Sequence, residues 1–213
     1  MGGAKVSDKI PLIENLMDKV DGFIVGGAMA YTFLAAQGIS VGESLVEKSQ
    51  VNFAKKLLDR LEARDKVMHL PVDHKMVRDF TDPSTLKMSE VIEEGYMAID
   101  IGRKTIAHFE KVLSKAKTVF WNGPMGAFET KEYSEGTFEV ARILSEIDSY
   151  VVVGGGDSAS AAAKSGYAKY MDHVSTGGGA ALEFLMGQSL PGIEALRAEF
   201  LEVIPDEGDF PEK

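Results

Sequence analysis

The feature that most constrains this chain is a device it uses repeatedly: a short apolar run, rich in β-branched residues, that stops on glycine. Phe23-Ile24-Val25 stops on Gly26-Gly27, and Tyr150 to Val153 stops on Gly154-Gly155-Gly156-Asp157. Val174-Ser175-Thr176 stops on Gly177-Gly178-Gly179, and Thr118 to Trp121 runs into the related turn Asn122-Gly123-Pro124-Met125-Gly126. Apolar runs this short favour strands over pieces of helix. Val67 to Leu70 and His173-Val174-Ser175 are further strand candidates.

Helical patterns lie between the strands. Ser7 to Val20 places Ile10, Ile13, Leu16, Met17 and Val20 on one face, and Val51 to Arg64 does the same with Phe53, Ala54, Leu57, Leu58 and Leu61. Lys104 to Leu113 and Gly136 to Ile147 are also predicted helices. Strands alternating with helices predict an α/β fold: a three-layer, doubly wound parallel sheet with helices on both faces. In such sheets ligands sit beyond the carboxyl ends of the strands. Glycine lets the main chain approach a ligand closely, and the amides of a following helix point at an anion. Glycine turns at several strand ends therefore predict a phosphate-bearing ligand along one edge.

The stretch from Asp73 to Met97 reads as less regular, with a turn at Asp82-Pro83-Ser84 and a short edge strand at Leu86-Lys87-Met88. Residues 1–198 are expected to form one domain, which fits the usual size range. The acidic segment from Glu199 to Lys213, with Pro205, Gly208 and Pro211, reads as a loosely ordered tail of unknown role. Met1 running straight into Gly2-Gly3 reads as the start of a piece of a longer protein.

The formal net charge is −10. A surface so acidic repels nucleic-acid phosphate and anionic lipid, so neither is an expected partner through bulk charge. The chain has no cysteine, which rules out a disulfide scaffold, thiolate catalysis and Cys-type zinc sites. No apolar run approaches the roughly 20 residues needed to span a bilayer. A soluble, cytoplasmic, monomeric protein is the expectation.

Several features also have plain structural readings. Gly154-Gly155-Gly156-Asp157-Ser158-Ala159 satisfies the dinucleotide pattern G-x-G-x-x-A, but the acid beyond it, Asp172, precedes a strand rather than closing one. No G-x-x-x-x-G-K-[ST] occurs. Lys5 and Lys9 share a helical side and fit a solvated face as readily as a phosphate clamp. Asp157 fits a helix N-cap as well as a metal ligand. The four histidines, at 69, 74, 108 and 173, show no metal spacing, and Trp121 is expected in the sheet core.

Seven motifs in fixed order carry a resemblance to one family. They are Gly2-Gly3-Ala4-Lys5-Val6-Ser7-Asp8-Lys9-Ile10, Gly26-Gly27-Ala28-Met29-Ala30-Tyr31-Thr32-Phe33, Leu70-Pro71-Val72-Asp73, Asp100-Ile101-Gly102, Trp121-Asn122-Gly123-Pro124-Met125-Gly126, Gly154-Gly155-Gly156-Asp157-Ser158 and Ser175-Thr176-Gly177-Gly178-Gly179-Ala180. The chain resembles the C-terminal, nucleotide-binding half of phosphoglycerate kinase.

The resemblance implies ATP or ADP with Mg²⁺, and phosphoryl transfer between 1,3-bisphosphoglycerate and ADP. Lys5 and Lys9 match lysines on the nucleotide phosphates, Lys9 bearing on the transferred group. Gly3 and Ala4 match main-chain contacts near the α- and β-phosphates, and Gly26 and Gly27 match glycines beside the adenine. Ala98 and Ile99 fall on the adenine wall, where Ala98 replaces a glycine and crowds the base. Asn122, Pro124, Gly126 and Glu129 match the ribose and triphosphate path. Gly154, Gly155 and Gly156 open the helix that carries Asp157, the magnesium-linked acid, and Ser158, a phosphate cap. Gly177, Gly178 and Gly179 match the turn that steadies the moving phosphoryl group.

The same resemblance implies a partner half that binds 3-phosphoglycerate and is not encoded here. The isolated chain is thus expected to bind nucleotide with little turnover. Two other readings stay open beside it: a non-catalytic folding module or engineered scaffold, and a nicotinamide-dependent oxidoreductase supported by G-x-G-x-x-A alone.

Overall fold

A computed structural model describes the backbone of residues 1–202 and the side chains of residues 1–197. Its parallel strands are the predicted ones. β1 (Gly22–Ile24) pairs with β2 (Val67–His69), Phe23 opposite Met68. β6 (Thr118–Trp121), β7 (Tyr150–Val153) and β8 (His173–Val174) form a second parallel ladder in the order β6-β7-β8.

Helices cover these strands on both sides. α1 (Ile10–Leu16), α2 (Met29–Ala36) and α3 (Val51–Glu62) supply one apolar cluster, with Leu12, Phe33 and Leu57 fully buried. α4 (Arg103–Leu113), α5 (Glu135–Glu146) and α6 (Gly156–Ser165) supply the other, around Phe109, Ile143 and Ala161. Successive side chains of a strand point to opposite faces. Phe23 and Val25 accordingly join the first cluster while Ile24 packs on the second, and Phe120 packs on the first while Trp121 is buried in the second. Trp121 also donates its indole N–H to the Gly123 carbonyl at 2.9 Å.

Three differences from the sequence reading have local causes. First, Ser7 to Lys9 are not helical, and α1 starts at Ile10. Glu47 accepts both the Ser7 amide, at 3.0 Å, and the Ser7 hydroxyl, at 2.7 Å, holding that residue in a turn. Pro11 then sits in the first turn, where its missing N–H costs nothing.

Second, the stretch read as irregular contains β3 (His74–Val77), β4 (Lys87–Ser89) and β5 (Met97–Ile101), an antiparallel sheet in the order β4-β3-β5. Every residue of β3 is buried, His74 and Lys75 included. Burial on both faces erased the alternation that marks a half-exposed strand, and Lys75 is tolerated there through its ion pair with Glu135 of α5.

Third, α6 lacks a large apolar stripe and buries only Ser158, Ala161 and Ala162. Two more helices follow, α7 (Gly179–Leu185) and α8 (Pro191–Glu202). α8 carries the helix through Glu199, past the expected start of the tail. Residues 203–213, the remainder of that segment, lie outside the described residues.

α6 ends on Gly166, which is left-handed at φ 82° and has no atom within 4 Å of a Cβ built there. Gly166→Ala is expected to cost about 1 kcal/mol, the conformational penalty alone, measured by urea unfolding.

Candidate functional site

The glycine turns meet along one edge. Trp121 pairs with Val153 and Val153 with Val174, so β6, β7 and β8 end side by side. The turn after β1 is joined to the turn after β6 by a hydrogen bond from Gly27 N–H to the Met125 carbonyl, 2.8 Å. The amino-terminal loop threads between them. Gly2 N–H donates to Asn122 (2.8 Å), Gly3 N–H to Pro124 (3.1 Å), and the Gly3 carbonyl accepts from Met29 N–H (3.0 Å). These contacts leave no room for side chains: a Cβ on Gly27 would lie 2.6 Å from Gly3 N.

Lys9 reaches into this edge. Its ammonium donates to Oδ1 of Asn122, and Asn122 Nδ2 donates onward to the Gly154 carbonyl at 2.6 Å. Asn122 is buried and Lys9 half-buried. Burial lowers the Lys9 pKa, while the negative charges of Asp8 and Asp157 act to raise it. An anion placed at the ammonium would act in the same sense as those carboxylates, restoring charge stabilisation that burial removes. Lys5 and Ala4 are exposed on the same loop.

α6 begins where β7 ends. Gly155, left-handed at φ 94°, is its N-cap, and no side chain caps the helix. Asp157 lies inside the first turn, exposed, so the capping role weighed for it is not realised. Ser158 is buried and its hydroxyl oxygen accepts Gly123 N–H at 2.6 Å, tying α6 to the turn after β6. At the end of β8, Ser175 N–H donates to Val153 (2.8 Å), and Gly177 N–H donates to Ser175 Oγ (3.2 Å). Gly177 and Gly179 are exposed there, and Gly178 takes φ 51°.

Ala98 and Ile99 stand apart from the lysines. Both are buried in β5 and reach the edge only through the main chain, where Ala127 N–H donates to the Ile99 carbonyl at 2.9 Å. Gly126 covers that contact, and Glu129 is exposed just beyond it.

A family model described as phosphoglycerate kinase matches residues 1–188. The chain belongs to the phosphoglycerate kinase family. It is 54% identical over 199 residues to the phosphoglycerate kinase of Bdellovibrio bacteriovorus, a match covering 92% of this chain and 50% of that protein. It is 51% identical over 197 residues to that of Clostridium perfringens, with the same two coverages. The solved phosphoglycerate kinase of Coxiella burnetii superposes with a TM-score of 0.87 at 39% identity, covering 93% of this chain and 52% of that one. The structure from Pyrococcus horikoshii gives 0.82 at 30% identity, with 94% and 51% covered. The chain thus spans about half the length of the phosphoglycerate kinases it matches.

Membership in the phosphoglycerate kinase family removes the oxidoreductase reading, and Asp172 shows why its motif misled. Its carboxylate accepts Val151 N–H at 2.7 Å, an anchor for the start of β7. Sequence reasoning named Asp73 and Asp100 only as members of family motifs and missed how they build the edge from behind. Asp73 caps α4 from another segment, accepting Thr105 N–H (2.7 Å) and Lys104 N–H (3.0 Å). Asp100 accepts Gly136 N–H at 2.7 Å, while its other oxygen is buried without a partner. His69 and His108, far apart in sequence, meet at 3.2 Å. The pair joins β2 to α4, and among the described residues no three metal-binding side chains cluster. None of the described helices is long and apolar enough to cross a membrane.

Proposed function

We propose that this chain is the nucleotide-binding half of a phosphoglycerate kinase, holding Mg-ADP or Mg-ATP along the edge where the glycine turns converge. The observation that carries the reading is the half-buried Lys9 ammonium, set among the main-chain turns that follow β1, β6 and β7. Lys5 and Lys9 take the phosphates, with main-chain help from Gly3, Ala4 and the free first-turn amides of α6 at Gly156 and Asp157. Gly26, Gly27, Ala98 and Ile99 border the base. Asn122, Pro124, Gly126 and Glu129 line the sugar and phosphate path. Gly154, Gly155 and Ser158 hold the α6 turn in place, and Gly177 with Gly178 faces the transferred group.

Asp157 fits a magnesium ion. Its carboxylate is exposed and free of intramolecular hydrogen bonds among the described residues. Mg²⁺ typically uses one or two carboxylates and completes its shell with water and substrate phosphates. An isolated acid is therefore the expected donor set, and the ion's chemistry would be neutralisation of phosphate charge.

Phosphoryl transfer needs both substrates held in line. This chain spans half the relatives' length, so 3-phosphoglycerate and a partner half that binds it are assigned elsewhere, and turnover by the chain alone is expected to be negligible. A monomer acting in the cytoplasm accords with a glycolytic role.

Calorimetric titration with Mg-ADP tests the reading. Lys9→Ala and Lys5→Ala should each weaken binding about tenfold to a hundredfold, the range for losing a charge-assisted contact to phosphate. Absence of binding at millimolar nucleotide would sink the assignment in favour of a pure folding module. A coupled assay with both substrates that registers substantial kinase turnover would overturn the claim of inactivity while leaving nucleotide binding intact.

A further inference from the structure

α7 is anchored at its carboxyl end by a side chain from another helix. The last carbonyls of a helix have no partner within it. Here Gly187 N–H takes that of Phe184 and Gln188 N–H takes that of Glu183. The carbonyl of Leu185, the last residue of α7, accepts the side-chain amide of half-buried Asn15, on α1, at 2.6 Å. Gly187, left-handed at φ 79°, brings the chain close over that amide, and a Cβ there would lie 3.1 Å from Asn15 Oδ1. Leu182, Leu185 and Met186 pack on the apolar cluster that holds Leu12 and Ile13 of α1.

The opposite end of α7 is open. Gly178 is its N-cap with no side-chain cap, and no atom lies within 4 Å of a Cβ built on Gly178 or Gly179. Gly177 N–H is held by Ser175 Oγ of its own turn. α1, in contrast, starts inside the site. Its first residue, Ile10, follows Lys9, whose ammonium donates to Asn122. Asn15 comes six residues after Lys9, about 9 Å along a helix axis. One short rigid element therefore carries Lys9 at its front and the anchor of α7 near its end.

We propose that Asn15 is a positioning residue: it fixes where the turn at Gly177, Gly178 and Gly179 stands relative to Lys9, and so sets the preference of the site for a nucleoside triphosphate over a diphosphate. The inference rests on the nucleotide reading above. In that reading the turn faces the transferred phosphoryl group, which the triphosphate carries and the diphosphate lacks. α7 is about 10 Å long. A tilt of a few degrees about its carboxyl end moves the glycine turn by up to roughly 1 Å, and misplacement on that scale is enough to lose an aligned contact. Phosphate contacts made elsewhere along the edge do not pass through α7, so the diphosphate is held without Asn15.

Calorimetric titrations of the full chain with Mg-ATP and with Mg-ADP test this. Asn15→Ala should weaken Mg-ATP about fivefold to tenfold, the size of one lost hydrogen bond, and leave Mg-ADP within about twofold. Asn15→Asp keeps the volume and loses the donor, and should do the same. Hydrogen exchange at the Gly178, Gly179 and Ala180 amides should quicken in both variants. Glu14→Ala is the control: it removes an exposed ion pair with Arg60 from the same helix and should leave the ratio of the two affinities unchanged. An unchanged ratio in both Asn15 variants, with Mg-ADP still bound, overturns this inference alone. So does an equal fall of the ratio in Glu14→Ala, the mark of a general loosening of α1. A parent chain that binds neither nucleotide sinks the nucleotide reading itself, and this inference with it.

Discussion

Gly27→Ala is expected to destabilise the chain by about 3–5 kcal/mol, enough to threaten folding of a marginally stable domain. Two costs add. Gly27 has φ 66°, where an L-residue loses about 1–2 kcal/mol. The new methyl would also lie 2.6 Å from both Gly3 N and Gly3 O and 2.9 Å from the Pro124 carbonyl. Those atoms are main chain and belong to the hydrogen bonds that join the turn after β1 to the amino-terminal loop and the turn after β6. Neither neighbour yields by changing a rotamer. Gly38→Ala is the matched control: φ is 80°, with no atom within 4 Å of the new Cβ, so only about 1 kcal/mol is lost. Urea unfolding of both variants at constant m-value separates the packing cost from the conformational one. If Gly27→Ala is no worse than Gly38→Ala, the three turns are not locked together.

Asp100 should make stability fall with rising pH. Burial raises its pKa from 3.8 to about 7 in the folded chain, against the weaker opposing pull of the Gly136 amide and the Lys75 charge. Its folded pKa exceeds its unfolded one, so between about pH 4 and 7 the folded state holds a proton that the unfolded state has released. Stabilisation from this group is complete below pH 4 and is lost progressively up to pH 7, about 4 kcal/mol at full burial. Above pH 7 its contribution is flat. Asp100→Asn keeps an acceptor for Gly136 N–H, removes that slope, and should exceed the parent chain in stability at pH 8 by about 2–4 kcal/mol. Urea midpoints at pH 5 and pH 8 give the answer; an unchanged difference between the two pH values in the Asn variant would show that another group titrates.

The two residues fared differently in the sequence. Gly27 was legible because its role is local: an apolar run stops, and a residue with no side chain must follow. The same local logic exposed Gly155 and the Asn122 turn, and through them the shared edge. Asp100 was legible only as part of a family motif. Its burial, its empty oxygen and its bond to Gly136 come from a segment 36 positions away. The resemblance matches Ser158 to a phosphate cap, and nothing near it in sequence says that its hydroxyl would be engaged by Gly123.

The chain's own sequence thus determined which runs form the parallel strands and that they stop on glycine, the ending from which a phosphate-bearing ligand is proposed. Each of these follows from neighbouring residues through φ preference, side-chain period and amide orientation. The tertiary structure alone decided that β3, β4 and β5 form a second, antiparallel sheet, that Lys75 can be buried against Glu135, and that Lys9 meets Asn122 rather than water. Those outcomes depend on charge partners and covering layers supplied from distant segments. A buried polar side chain looks like an exposed one until the element that satisfies it has been folded against it.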